Sequence, residues 1–558
     1  MAAIKTKKNN DVVIEQTVMQ QVTDYILRML AAIYVLLMLV VFPYYMERKY
    51  LNMGDAKYHF FQVVSLAFLG AMILCLIFWV IAHRKNPLFE EKFGRLTKTE
   101  YFLFGFLVVS FISYICAYDK KTAFFGYNGW FMGLLSQTMF VLIFFFVSKF
   151  WGWSSGVIKL MMVSAAGVFL IAVLQRFDMD IFMLYQNIQA DGTYRMLSDA
   201  NIEKFVSTLG QTSWYSCYAV IMMPFGMFWY AYDTKMVSRI LSAVFIIISG
   251  ASLCTVNNDS AYIAIALIFM VFFWFALESN EQFLHLIEIV LLYLASFRLV
   301  GIFQTLFPER RIKLITGEEK ITEFLNHSTA MLIISLVILG IYLALRFKFM
   351  KETEDGKKFD ISKFKVLRKI MVYGAIVMIW LVVLLIILCT NNKMPDALSN
   401  IKNIGFFNFD LSWGNHRGFN WRMAIKALGK ANIKDWLVGV GPDCFSTVMD
   451  MYFRDEVRTY WHGDQLACAH NEWLNMLVTQ GILGLVAYTG IFVSIMIRLG
   501  KIVCKEKMAI PFMAAILAYV GYNIFCYQQC IGTPVVFIFM GISEMMCSYT
   551  EREVKEEA

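Results

Sequence analysis

Apolar runs of ~18–22 residues recur along this chain from end to end, and no other feature narrows its possible folds as much. A run of that length crosses a hydrocarbon core of about 30 Å as a helix, because a helix satisfies every backbone polar group within its own segment. Only 16% of the 558 residues are charged, against about 25% in a soluble domain. The chain therefore reads as all-α, a polytopic membrane helical bundle with about 12–14 transmembrane helices and interfacial helices in a large outer loop. Fourteen spans are assigned, near 25–45, 59–82, 101–117, 130–149, 154–174, 213–231, 240–256, 261–277, 284–303, 329–346, 370–389, 473–498, 508–527 and 531–548.

Short loops at 83–100 and 346–369 are rich in Lys and Arg, which marks them as cytoplasmic. Counting spans from there puts the N-terminal segment 1–24 and the tail 549–558 inside. Spans one to eleven occupy 25–389, with an external loop at 175–212. A large loop at 390–472 also faces outside, before the last three spans at 473–548. The net charge of +8 is spread over many loops, so no nucleic-acid partner is implied; the bilayer is the evident one. Most of the eleven cysteines lie in apolar runs, where cysteine acts as a small apolar residue, and no C-x-x-C pair exists. Cys444 and Cys468 share the large loop, but spacing alone does not decide whether they pair. The ninth span carries Glu288 and Arg298, which could pair with each other or snorkel.

Polar and titratable residues gather in 414–486, around the large loop. There is no Walker loop and no His/Asp cluster with metal-ligand spacing; Asp178-Met179-Asp180 and Gly152-Trp153-Ser154-Ser155-Gly156 match the D-x-D and G-x-S-x-G strings by spacing only, and no metal or cofactor is expected. What remains is His470, with Arg and Lys. His470 stands in Ala469-His470-Asn471-Glu472-Trp473, at the head of a span. A neutral imidazole there could take a proton from a hydroxyl, or could merely bond a loop carbonyl. Arg417 and Trp421 share a helical face. The guanidinium could clamp diphosphate oxygens or anchor to lipid head groups. Arg422 points about 100° away from Trp421. Gly439, Gly441 and Pro442 read as a tight turn before they read as a phosphate nest. Residues 420–437 read as one amphipathic helix on the bilayer surface. In the other outer loop, Lys204 and Arg195 are candidate phosphate ligands, near a helix-entry turn containing Gly210.

Together, Gly414-x-x-Arg417-x-x-x-Trp421, Gly439-x-Gly441-Pro442-Asp443-x-Phe445 and His470-Asn471-Glu472-Trp473-Leu474 with Gln480-Gly481 resemble the O-antigen ligase and Wzy polymerase superfamily. The Ser207-Thr208-Leu209-Gly210 entry and the Phe125-Gly126-Tyr127 turn are similar to further motifs of that family. The resemblance implies a bacterial, metal-independent, GT-C type glycosyltransferase of the cytoplasmic membrane with an extracytoplasmic active site. It implies transfer of a glycan from undecaprenyl diphosphate to an acceptor hydroxyl on a lipid, wall component or glycan. It would make His470 the general base and Arg417 a diphosphate ligand, helped by Lys204. Lys204 stands where the family has Arg, and Gln211 where it has Asn. A lipid-linked oligosaccharide flippase or other transporter is the alternative. It would need polar residues along a path through the membrane, and the span interiors are nearly free of charge.

Overall fold

The computed structural model describes residues 17–557, less 85–86, 185, 189–193, 197–204, 257, 311–319, 352–355, 357, 396–397, 399 and 402–403. In chain order its helices begin with α1 (Val18–Leu36), α2 (Met53–His83), α3 (Pro87–Phe93), α4 (Lys98–Ile115), α5 (Lys120–Phe125), α6 (Leu134–Phe150) and α7 (Ser155–Arg176). Next come α8 (Thr212–Tyr232), α9 (Met236–Val256), α10 (Ser260–Ala276), α11 (Asn280–Leu306), α12 (Lys320–His327), α13 (Thr329–Met350) and α14 (Val366–Thr390). The large loop holds α15 (Trp413–Lys430), α16 (Ile433–Val438), α17 (Phe445–Tyr452) and α18 (Arg454–Tyr460). The chain closes with α19 (Glu472–Ile502), α20 (Ala509–Tyr522) and α21 (Gly532–Glu557). Among the described residues the only sheet is an antiparallel pair, Gln186–Ile188 with Tyr194–Met196.

Ten helices among the described residues are long and apolar enough to cross a membrane. With the shorter apolar helices α6, α10 and α20, and with α8, they stand where the apolar runs predict spans. The protein is a multi-pass membrane helical bundle. At its centre α8, α20 and α21 are buried on nearly every side. At the periphery α13 and α14 bury almost nothing against protein, so their apolar side chains are left for lipid. Charges buried in the bundle are paired or bonded to backbone groups, as the expense of an isolated charge in hydrocarbon requires; Lys57 donates to the carbonyls of Phe42 and Pro43. Lys149 meets Glu100 at 2.6 Å, and Arg498 meets Glu544 at 2.6 Å and Glu551 at 3.0 Å. Glu288 does not pair with Arg298. It accepts from Tyr230, Tyr342 and Arg239, whereas Arg298 donates to the Asn326 carbonyl.

Three departures from the expected helices shape one end of the bundle. The first is at α20, which stops at Tyr522 rather than near 527. Residues 523–531 then run between α20 and α21 without helix, and most are buried. Their backbone finds partners elsewhere. The Asn523 carbonyl accepts from Glu472 N at 2.9 Å, and Gln528 N donates to the Glu472 carboxylate at 2.8 Å. Non-helical backbone at this depth is tolerated only when protein covers it and supplies such partners.

The second departure is inside α19, where Gly481 (φ 67°, ψ −173°) breaks the helix. The break frees the carbonyls of Val478 and Thr479, which accept from Val440 N at 3.3 Å and Gly441 N at 3.0 Å. Ser113 Oγ of α4 also donates to the Thr479 carbonyl. Gly439 (φ 74°) lies against this break. A Cβ there would run into the Thr479 carbonyl, and one at Gly481 would run into Leu437. Gly439-Val440-Gly441 is thus a backbone dock, not a phosphate nest. Gly441 and Pro442 are buried in it.

The third departure is in 420–437, which forms two helices rather than one. The first ends at Lys430 with Ala431 as its C-cap, and the Asn432 side chain caps α16 by accepting from the Asp435 N–H. The buried face of α15 is also not free for lipid. Phe419, Met423, Ala424 and Ala427 form a small core with Phe445, Val448 and Met449 of α17. Ala117, Ala123 and Val478 from the bundle complete that core and fasten the loop down. Cys444 and Cys468 are both free, buried thiols.

The dock gives a test. Gly439→Ala combines a left-handed backbone with a carbonyl in the way, and is expected to destabilise by about 1–3 kcal/mol. Gly429→Ala, on α15 with open space around it, is expected to be neutral or mildly stabilising. Thermal unfolding of the detergent-purified chain measures both, and equal melting temperatures would rule the dock out as a stability element.

Candidate functional site

His470 sits at the end of the bundle where these departures meet. It adopts φ 51°, a left-handed turn that His, Asn and Asp tolerate better than most residues. Asn471 follows as the N-cap of α19, its side chain accepting from Leu474 N at 3.0 Å. The cap starts the helix, and the left-handed turn before it lets the imidazole project from the helix end. No hydrogen bond to either ring nitrogen is found among the described residues, so the simpler reading of a histidine bonded to a loop carbonyl is not what the structure has. The ring stands edge-on to Tyr527, with centroids 5.1 Å apart, and to Trp130 at 6.3 Å. Burial, and then the Arg417 cation, push its pKa down to about 4, so the imidazole is neutral at pH 7.

Arg417 begins the regular part of α15. Gly414, Asn415 and His416 before it are all left-handed (φ 60°, 59° and 66°), so the chain turns sharply into the helix there. Its Nε donates to the Phe525 carbonyl at 2.9 Å, and Nη1 to the Gly414 carbonyl at 2.6 Å. Among the described residues it has no carboxylate partner. The guanidinium is thus aimed by two neutral carbonyls and keeps its full charge, as an anion site requires. Trp421, one turn on, stacks on the Phe525 ring at 6.0 Å and meets Trp413 at 5.4 Å. Arg417 and Trp421 therefore grip one residue of the 523–531 segment, by its carbonyl and by its ring.

That segment joins the site's parts. Phe525 holds Arg417. Two residues later Tyr527 packs against His470 and Trp130, and its hydroxyl donates to Gln211 Oε1 at 3.0 Å. Gln211 stands at the N-cap position of α8, without a side-chain capping bond, and follows the Ser207–Gly210 turn. In that turn the N–H of Ser207 (φ 53°) donates to Gln175 Oε1 at 3.0 Å, and Gly210 (φ 82°) leaves room for Met53. The helix-entry motif therefore reaches His470 through a tyrosine. Trp130 is placed by Asp443, one residue past the glycine dock. The Asp443 carboxylate accepts from Tyr127 N at 2.7 Å and Met132 N at 2.9 Å, closing the 126–133 turn. Burial pushes its pKa up to about 7 against the pull of those two donors. A cavity of about 20 Å³ lies behind His470 among Trp130, Asp443, Glu472, Tyr527 and Gln528, room for one water and far too small for a diphosphate.

Other sequence candidates lie apart. Arg422 is exposed on the far side of α15. Lys204 falls outside the described residues. Arg195 pairs with Asn187 in the small sheet, and its side chain is not described. The residues that sequence reading missed are Tyr527, Phe525, Trp130, Glu472 and the anchoring role of Asp443. A signal for the first two existed: Asn523, Gln528 and Gln529 interrupt the last apolar stretch, too polar for two plain spans joined by a short turn.

A helical membrane bundle with a structured loop fixed over one end, where, among the described residues, an arginine has no carboxylate partner and a histidine no ring hydrogen bond, is the class defined here. Residues 321–489 match the family model described as O-Antigen ligase. The matched stretch contains Arg417, Trp421, the glycine dock and His470. No curated protein matches the chain.

The anchoring by Asp443 can be tested. Asp443→Ala leaves two N–H groups unpaired, at about 1–3 kcal/mol each, and should lower the melting temperature and release Trp130. Asp443→Asn keeps an acceptor oxygen and should fall much nearer to wild type. Thermal unfolding followed by tryptophan emission reports both; equal effects of the two variants would exclude the acceptor role.

Proposed function

We propose that this chain transfers a glycan from a polyprenyl diphosphate, undecaprenyl diphosphate by the family resemblance, to an acceptor hydroxyl. The single observation that carries the reading is a guanidinium with no carboxylate partner and a neutral imidazole with no ring hydrogen bond, among the described residues, at the same end of the bundle. His470 accepts the proton of the acceptor hydroxyl as its oxygen attacks the anomeric carbon from the face opposite the leaving group. The C–O bond to the diphosphate breaks with inversion, and the departing diphosphate takes both bonding electrons. Arg417 offsets the charge that grows on it. Diphosphate is a good leaving group, and the reaction as written uses no metal or nucleotide. Lys204 and Arg195 are further diphosphate ligands in this proposal, and the acceptor is a lipid, wall component or glycan. The loops at this end face the outside of the bacterial cytoplasmic membrane, with both termini in the cytoplasm.

The low pKa of His470 has a consequence for the diphosphate. In the free protein the imidazole is a weak base. A bound diphosphate cancels the Arg417 charge, removes one of the two causes of the depression, and raises the basicity of His470 when substrate is present.

His470→Ala is expected to slow transfer by about 10²–10⁴-fold, with little change in melting temperature. The assay uses detergent-purified protein with no gradient, conditions under which a flippase makes no product. The sign of the pH effect follows from the cationic form of His470 being the disfavoured one. The base stays available as pH falls below the ordinary histidine value of about 6.5, and kcat/KM drops only near pH 4. Arg417→Gln removes one depressing cause, so the acid limb should move up while the rate falls. An unshifted limb with unchanged rate in His470→Ala would refute the base assignment.

A further inference from the structure

We infer that the opposite end of the bundle holds a binding site for the phosphate of a membrane lipid, in a cleft between α9 and α13 floored by α11. The cleft has a volume of about 460 Å³, within the range of ligand pockets. α11 packs against both α9 and α13, while those two make no comparable contact with each other, which leaves the cleft open to the side. Tyr230, at one wall, lies nineteen residues along α8 from Gln211, so this cleft is about 28 Å from the candidate transfer site.

The polar groups of the cleft are arranged for an anion. Glu288 on the floor is already satisfied. It accepts from Tyr230 at 2.8 Å, Tyr342 at 2.6 Å and Arg239 at 3.3 Å. Its charge is spent on Arg239. Arg346 donates one bond to the Tyr342 hydroxyl at 3.1 Å and has no carboxylate partner among the described residues. Glu281 is 75% exposed and turned toward His285 at the rim, so it does not neutralise Arg346. One positive charge is left over, together with unused guanidinium N–H groups on both arginines. That matches the single negative charge of a phosphodiester.

Position and flank point to a lipid as the source of the phosphate. Arg239 is in the first turn of α9 and Arg346 in the last two turns of α13, the depth at which head-group phosphates lie. Beside the arginines, Met236, Ile240 and Leu343 are exposed, a strip on which an acyl chain can lie while its phosphate meets the two guanidinium groups. Inorganic phosphate offers the same anion without the chain. The two sources are separable by experiment.

The test uses the full-length chain in a neutral detergent. Short-chain phosphatidylglycerol, the matching short-chain diacylglycerol and inorganic phosphate are each titrated while the melting temperature is followed. Stabilisation by phosphatidylglycerol alone is expected. In Arg346→Gln, which leaves the Glu288–Arg239 pair in place, apparent affinity should drop about tenfold, the value of one charged hydrogen bond. Equal stabilisation by diacylglycerol, or unchanged affinity in Arg346→Gln, would overturn the site. Equal stabilisation by inorganic phosphate would overturn the lipid as its source.

Discussion

Glu472 donates its backbone N–H to Asn523 and accepts the Gln528 N–H on its side chain, and these two bonds hold an irregular stretch of chain inside a bundle of helices. The site depends on that clamp. Helix ends in an apolar setting leave carbonyls and N–H groups that water cannot reach, and each would be expensive if orphaned. Segment 523–531 is possible because Glu472, Gln137 and Gln529 supply partners within it and around it. Once placed, it carries Phe525 to Arg417 and Tyr527 to His470. Residues more than fifty positions apart in sequence are thereby set against one another by a stretch of nine.

The glycine dock does similar work on the other flank. Helix α19 has to break to release two carbonyls, and the large loop has to come close enough to use them. Both requirements fall on positions where a side chain would collide, Gly439 and Gly481. Asp443, directly after the dock, then closes the turn that carries Trp130. The order of residues in Gly439-Val440-Gly441-Pro442-Asp443 is thus a mechanical sequence: approach, pair, turn, anchor.

The positions of the membrane helices were legible because their cause is local: apolar length is enough to decide that a segment spans. The Arg417–Trp421 pair and the His470–Asn471 helix start were legible for a like reason, since one follows from helical spacing and the other from capping. The joining of these parts was not. The roles of Tyr527 and Phe525 come from contacts between distant segments, and apolar scoring absorbed both into a span. The reading of 420–437 as a single surface helix failed because its apolar spacing is the same whether lipid or α17 covers it. The Cys444–Cys468 question was likewise one of geometry, and both residues turn out to be separate thiols packed in apolar surroundings.

Helix α14 and the outer face of α13 stand outside the packed core with almost no protein around them. Acyl chains make no demands of shape, so these two segments escape the jigsaw fitting that fixes the identity of each residue in α8 or α20. Leu, Ile, Val and Phe should interchange along them over evolutionary time with little consequence, as long as the stretch stays greasy. Their contribution to specificity is then one of reach, setting how far from the bundle axis the large loop begins.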